Sequence, residues 1–188
     1  MTDDVKKRLD VVLVAGGKYH DIDFARLELL KLLAEDDRIR TRVYEDYSNL
    51  HAISNADFLI TYTCDVRPTL EQQKVLRDFV ANGKRWLALH GTNSILQFLS
   101  DGRVDCPRVA PIFMETLGSQ FLSHPPIEPY TVTVADGDHH LVEGVEPFET
   151  NDELYLMETH GELHVLLETE FEGNTPGFVE ENWEKTKV

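Results

Sequence analysis

Cysteine is scarce: Cys64 and Cys106 are the two in 188 residues, and they form no CxxC pair. That argues against a disulfide scaffold and against a zinc centre built on thiolates. Long apolar runs are missing too. No stretch approaches the ~18 residues a membrane-spanning helix needs, and the opening MTDDVKKRLD lacks the apolar segment of a secretory leader, so a cytoplasmic location is expected. Basic residues are few, with 18 Lys and Arg facing 34 Asp and Glu for a formal charge of −16. Such a chain repels phosphate backbones and anionic lipid, which speaks against nucleic-acid and membrane partners. No GxGxxG, Walker or HExxH sequence occurs. Nor does any internal repeat, low-complexity tract or linker divide the chain, so one domain over residues 1–188 is expected.

What is present is an ordinary globular composition, 41% hydrophobic and 28% charged. A chain of this size buries roughly 70% of its unfolded surface, enough for a core without staples. Charge is unevenly spread: residues 1–100 hold 15 acids and 14 bases, whereas residues 101–188 hold 19 acids and 4 bases. Runs such as Glu168, Glu170 and Glu172 read as solvated strand faces or a surface tail.

The first half alternates strand and helix signals. Val11 to Val14, closed by Ala15-Gly16-Gly17, reads as a strand buried on both faces and entering a tight turn. Phe24, Leu27, Leu30 and Leu33 recur at helical spacing over roughly 22–35. Ile39 to Tyr44 and Phe58 to Thr63 read as two more strands. Thr69 with Gln72 forms a capping box ahead of a helix that Asn82-Gly83 ends. Trp86 to Leu89 then reads as a fourth buried strand, followed by a short helix over about 93–99. Strands alternating with helices imply parallel βαβ units, hence an α/β fold. Five prolines between Pro107 and Pro129 break the helical pattern in the second half. Beyond them Tyr130 to Val134, Leu154 to Leu156 and Val165 to Leu167 read as edge strands.

In an open α/β sheet, ligands bind beyond the carboxyl ends of the parallel strands. His20 follows the first strand and His90 ends the fourth. His90 before Gly91 and Thr92 matches a strained strand-to-helix elbow whose amides hold an anion, and equally a tight turn whose histidine only hydrogen-bonds. His124, His139, His140 and His160 sit beside chain-breaking residues, where turn or surface roles compete with ligand roles. With Asp136, Asp138, Asp152 and Glu153 nearby in sequence, the histidines leave a divalent metal site open without matching a metal motif. Glu153 and Tyr155 pair a carboxylate with a polar aromatic. Cys64 reads as a small buried residue and not a nucleophile.

Taken in order, Ala15-Gly16-Gly17-Lys18-Tyr19-His20-Asp21, Leu70-Glu71-Gln72, Ala88-Leu89-His90-Gly91, Phe121-Leu122-Ser123-His124-Pro125, Asp138-His139-His140 and Asp152-Glu153-Leu154-Tyr155 resemble the trehalose-utilization ThuA-like family. That family is a branch of the class I glutamine amidotransferase-like superfamily. The resemblance implies a flavodoxin-like three-layer α/β/α sandwich with a mostly parallel sheet and an elbow at His90. The related amidotransferases carry a cysteine nucleophile there, so thioester glutamine hydrolysis is not expected. Motif by motif, His20 matches the GG-x-x-H block, His90 the LHG block, His124 the His-Pro block, His140 the histidine before HP(I/L)-x-x-G, and Glu153 the DE-x-Y block. Leu141 replaces the usual proline after His140. Family members usually continue into a Gly-x-Gly-x-Val strand and a leucine-glycine-histidine motif, which this sequence lacks before Val188.

The resemblance implies catabolism of trehalose, another disaccharide or a keto-sugar. In that reading His90 and His20 are catalytic acid/base or metal-ligating groups and Glu153 orients them. Gly17, Gly91, Thr92, His124, His140 and Tyr155 contact a small sugar. The alternatives are a non-catalytic sugar- or partner-binding module on the same scaffold and a metal-dependent hydrolase. Homo-oligomerisation stays open.

Overall fold

A computed structural model of the chain describes residues 7–188, so the stretch read for a leader begins, in residues 1–6, outside the described part. The chain forms two compact units. One comprises the chain through Ile95 together with Arg108–Leu117, the other Leu96–Pro107 with Gly118–Val188.

The first unit holds β1 (Leu9–Gly17), α1 (Ile22–Leu33), β2 (Ile39–Tyr44), α2 (Leu50–Asn55), β3 (Phe58–Cys64), α3 (Leu70–Ala81), β4 (Arg85–Leu89) and α4 (Pro111–Leu117). Its four strands make one parallel sheet in the order β2-β1-β3-β4. The unbroken apolar run of β1 has a plain cause, because both faces of that strand are covered. Val12, Val14 and Leu59 point into a core with Ile53, Leu76, Phe79, Phe113 and Met114. The alternate residues Val11, Leu13, Ala15 and Ile60 pack with Leu29, Leu30 and Leu33 of α1. The chain runs from β1 outward to β2, then back across to β3 and on to β4. The strand order therefore reverses between β1 and β3, and ligands in open α/β sheets bind at the carboxyl ends beside such a reversal.

The predicted capping box forms. The Thr69 hydroxyl accepts the Gln72 amide at 3.3 Å, and Gln72 Oε1 accepts the Thr69 amide at 2.8 Å. Thr69→Ala is expected to cost about 1 kcal/mol, read from the midpoint of urea unfolding with the slope unchanged.

Three expectations for this unit are corrected. β4 is an edge strand rather than a buried one, with Leu87 50% exposed, because the sheet order ends there. No helix follows over 93–99; His90–Asn93 makes one 3-10 turn and Gln97–Phe98 is extended. The Thr92 hydroxyl donates to the Leu89 carbonyl at 2.8 Å and tightens the turn locally. Helix α4 starts at Pro111, a residue suited to a first helical position, where the prolines had suggested a broken pattern. Helix α2, capped by the Asn49 side chain accepting from the Ala52 amide, is too short for periodicity to reveal.

The second unit contains β5 (Gln97–Phe98), β6 (Val104–Asp105), β7 (Ser119–Ser123), β8 (Glu128–Val134), β9 (Phe148–Asp152), β10 (Leu156–Thr159), β11 (Leu167–Glu168), β12 (Glu170–Asn174) and β13 (Asn182–Lys187). Its named strand pairs are all antiparallel, with a single-residue parallel bridge between Val104 of β6 and Phe178. The alternation read at Tyr130 to Val134 is that of β8, where Tyr130, Val132 and Val134 are half-buried between exposed Thr131 and Thr133. The strand read at Leu154 to Leu156 starts at Leu156, and the one at Val165 to Leu167 is shortened to Leu167–Glu168. The acidic tail is a strand face: β12 and β13 pair as a hairpin, with Lys185 Nζ 2.8 Å from Glu170 Oε2. Cys106, Phe121 and Leu122 form a small core against Leu96, Tyr155, Phe178 and Trp183. No helix among the described residues is long and apolar enough to cross a membrane.

Candidate functional site

Among the described residues, three non-glycine positions adopt left-handed backbone: Tyr19 at φ 69°, Asp65 at φ 53° and His90 at φ 44°. They follow the carboxyl ends of β1, β3 and β4, three neighbouring strands. Each such conformation costs about 1–3 kcal/mol and persists where the surroundings impose it, a pattern concentrated at functional sites. Gly17 explains the first of these turns. It has φ 109°, and a Cβ built there would lie 1.9 Å from the Cys64 carbonyl oxygen. The Lys18 amide donates to that same oxygen at 3.0 Å, which ties the end of β1 to the end of β3 and swings the chain toward His20.

His20 and His90, 70 residues apart in sequence, meet at these ends. Their Nε2 atoms are 2.8 Å apart and the rings cross at 87° with centroids 4.6 Å apart. Two nitrogens at that distance share one hydrogen, carried by one ring and accepted by the other. Tyr62, two residues before the end of β3, lies parallel to the His90 ring at 6.0 Å and edge-on to His20 at 6.1 Å. The step from His90 to Gly91 leaves no room for a side chain: a Cβ on Gly91 would meet the Thr63 carbonyl oxygen at 2.9 Å and His20 Cε1 at 3.3 Å. Glycine there lets the elbow descend against β3 and brings the two imidazoles together.

A buried hydroxyl network sits behind the elbow. The Thr92 hydroxyl lies 3.1 Å from that of Thr61, and Thr61 Oγ1 accepts from the Trp86 indole at 2.9 Å. Tyr47, fully buried, places its hydroxyl 3.1 Å from Thr63 Oγ1, and burial pushes its ionisation far above the usual tyrosine range. Thr92 itself is buried, with its side chain committed to the protein's own hydrogen bonds. On the rim, Asp65 holds Lys18 Nζ at 3.1 Å and Arg67 Nε at 3.3 Å. Thr92 is singled out with the His90 turn, whereas Tyr62, Asp65, Thr61 and Thr63 escape a reading by motif. Their one sequence signal is position at or near the end of a strand.

The second unit has its own cluster. His124 Nε2 lies 3.7 Å from Glu153 Oε1, and its Nδ1 is 2.8 Å from the Pro125 carbonyl oxygen. Phe178 meets the His124 ring edge-on at 5.0 Å, and Phe121 packs 4.3 Å from Tyr155. Thus His124 and the Glu153–Tyr155 block, separate in sequence, come together around aromatic rings. Phe178 and the Trp183 indole, which donates to Ser123 Oγ at 2.9 Å, belong to the same group and carry no motif.

His140 lies elsewhere in this unit, exposed and 4.5 Å from the His139 ring. His139 in turn faces His164 at 5.1 Å, and His164 Nε2 pairs with Asp136 Oδ2 at 2.7 Å. The hydrogen bond from His164 first, then the Asp138 amide, holds the Asp136 carboxyl below the ordinary aspartate range. A depressed carboxyl favours the folded state above the unfolded aspartate range, and that contribution is lost as pH falls through the lowered value. His164→Ala is expected to move the Asp136 titration back up, as followed by carboxyl carbon NMR. His160 serves a turn, with its amide donating to Gly118 O at 2.8 Å and its ring 3.6 Å from Glu158.

Neither thiol is available at the elbow's surface. Cys64 is 1% exposed, and Cys106, 3% exposed, donates its thiol hydrogen to the Leu122 carbonyl at 3.2 Å. The residue with left-handed backbone that follows β4 is His90, not a cysteine.

Among curated proteins, none matches the sequence. Solved structures do resemble the fold. A ThuA-like protein of Bacteroides uniformis superposes with a TM-score of 0.70 at 16% identity, covering 97% of this chain and 76% of that one. A ThuA-like protein of Parabacteroides merdae gives a TM-score of 0.60 at 17% identity, covering 94% and 74%. A profile of the ThuA family, described as trehalose utilisation, matches residues 10–187 and so spans both units. With that profile running through the His20, His90, His124, His140 and Glu153 blocks, the chain belongs to the ThuA family.

Proposed function

We propose that this protein acts in the cytoplasm on trehalose, another disaccharide or a keto-sugar derivative, using His20 and His90 as an acid/base pair. Membership of the family supports a carbohydrate-related role at the family level. The observation that carries the finer reading is the 2.8 Å approach of the two Nε2 atoms at a left-handed elbow. Imidazoles exchange protons near neutral pH, so a pair holding one hydrogen is positioned to give it to, or take it from, a sugar hydroxyl or carbonyl oxygen. In this proposal the whole chain works as one ThuA-like domain of the flavodoxin-like three-layer kind. Gly17 and Gly91 shape the pocket by letting the backbone close in, and the Gly91 and Thr92 amides are assigned to a developing oxyanion. In the second unit, Glu153 orients His124, and the half-buried Tyr155 and Phe178 rings suit the apolar C–H face of a pyranose. His140 is assigned a supporting role in substrate contact.

Glutamine hydrolysis is not proposed, because His90 occupies the elbow and both thiols are buried. The convergence of two imidazole nitrogens also favours a second reading, a metal-dependent hydrolase in which His20 and His90 open slightly to become neighbouring ligands of a divalent ion.

The test is thermal stability of tag-free protein with trehalose, sucrose, their 3-keto forms and glutamine, each with and without zinc or manganese, followed by turnover of whichever sugar binds. A sugar-specific rise in melting temperature that His90→Ala abolishes, with turnover, supports the acid/base reading. A rise with metal alone moves the hydrolase ahead. Sugar binding with no turnover favours a binding module, and unaltered turnover by His90→Ala rejects the dyad.

A further inference from the structure

The elbow at His90 hangs on a run of hydrogen bonds whose direction is fixed by the chemistry of its members. The run starts at the Trp86 indole, which can only donate and does so to Thr61 Oγ1 at 2.9 Å. At its other end Thr92 carries one hydroxyl hydrogen and faces two carbonyls. Leu89 is the nearer at 2.8 Å, against 3.2 Å to Thr61, and takes that hydrogen. Between the two hydroxyls, 3.1 Å apart, Thr61 must therefore be the donor and Thr92 the acceptor. The relay reads Trp86 to Thr61 to Thr92 to the Leu89 carbonyl. Thr61 and Thr92 are 0% and 3% exposed, so water does not stand in for a lost link, and each bond polarises the next.

Strand register builds the relay. β3 pairs with β4 so that Leu59 faces Trp86 and Thr61 faces Ala88, which sets Thr61 diagonally from the indole on one face of the sheet. The end point gives it meaning. The Leu89 carbonyl belongs to the peptide bond that enters His90, whose left-handed φ of 44° persists because the surroundings impose it. Thr92 grips that peptide from one side. On the other, Gly91 lies so close to β3 that a Cβ would meet the Thr63 carbonyl oxygen at 2.9 Å. With the backbone held at both points, the His90 ring projects to its 2.8 Å approach to His20.

We propose that Thr61 and Thr92 are positioning residues for His90, their hydroxyl relay fixing the peptide that carries it and thereby the contact of its ring with His20. This rests on the reading of His20 and His90 as an acid/base pair. Thr92 then serves twice, its amide toward a developing oxyanion and its hydroxyl toward the protein's own backbone. Removing that hydroxyl leaves the Leu89 carbonyl and the Thr61 hydroxyl buried with one partner fewer, and the peptide shifts to recover it. The effects are graded. Thr92→Val deletes the last link, Thr61→Val the link before it, and Trp86→Phe the first donor alone, so disturbance of the elbow declines in that order.

Full-length protein carrying isotope-labelled histidine is followed by NMR, with cross-relaxation between the His20 and His90 ring protons as the readout and His20→Ala assigning the peaks. Ring-to-ring peaks are expected in the parent protein and in Thr92→Ser, which keeps the hydroxyl. They are lost in Thr92→Val under an otherwise native amide spectrum, weakened in Thr61→Val and least affected in Trp86→Phe. For the sugar found by the stability screen, kcat of Thr92→Val falls about 10- to 100-fold with KM little changed, and Thr92→Ser restores it. The proposal is overturned if Thr92→Val keeps the peaks, or if Thr92→Ser loses them equally, which would make the methyl's packing the cause. Should Thr92→Val lack a native amide spectrum, Thr61→Val decides, and unaltered peaks there overturn the proposal. Peaks missing from the parent protein reject the histidine pair itself, a failure distinct from loss in the valine variants alone.

Discussion

Gly17→Ala is expected to destabilise the protein by at least about 4 kcal/mol, enough to leave a marginal domain largely unfolded. The added methyl would stand 1.9 Å from the Cys64 carbonyl oxygen and 2.9 Å from the Cys64 amide nitrogen, and these are backbone atoms of a paired strand that cannot swing aside. The φ of 109° adds a conformational cost. Gly83→Ala is the control, because its φ of 79° is also left-handed but nothing lies within 4 Å of the new methyl. It should cost only about 1–2 kcal/mol, the left-handed penalty alone. The two variants are compared by urea unfolding. Equal costs would mean that the close approach of β1 to β3 does not explain the glycine, and that the turn leading to His20 is held some other way.

His90→Gly separates chemistry from folding. Turnover of the sugar identified by the stability screen should fall about 10²- to 10⁴-fold, the usual worth of a positioned acid/base group. Stability should change by no more than about 1 kcal/mol, since glycine relieves the left-handed backbone while the variant gives up the ring's contacts. His20→Ala should lose a comparable factor, and the double variant little more than either single one, because the two rings act as one proton-sharing unit. Multiplying losses in the double variant would instead show two independent roles and dissolve the pair. A fall in melting temperature matching the fall in activity would make His90 a structural residue.

Much of the first unit was readable from local patterns. Val11 to Val14 is continuous because β1 is covered on both faces, and the Thr69–Gln72 box closes within four residues. The same local signal misled at Trp86 to Leu89, since an apolar run reports the hydrophobicity of a strand and not whether another strand lies beyond it. It misled again after His90, where the Thr92 hydroxyl and the left-handed backbone produce one tight turn in place of a helix. Motif order picked out His20 and His90 as candidates. It did not pick out Tyr62, Asp65, Thr61 or Tyr47, whose relevance comes from packing between strands. In the second unit the motifs named His124, Glu153 and Tyr155, but Phe178 and Trp183 join them from a hairpin that no spacing announced.

The amino-acid sequence alone determined the acidic character of the second half, the alternation that makes a parallel α/β sheet, and the placing of histidines at strand ends. These depend on composition and on periods of two and 3.6 residues, which neighbouring side chains carry by themselves. Only the tertiary structure decided which histidines meet. His20 and His90 are separated by 70 residues and come within 2.8 Å because β1 and β3 pair in register and Gly17 and Gly91 let the backbones close. His140, an equal candidate by motif, is carried instead to an exposed loop beside His139. A motif records residue type and order along the chain, whereas a shared proton depends on a distance that strand register and steric contact set in space.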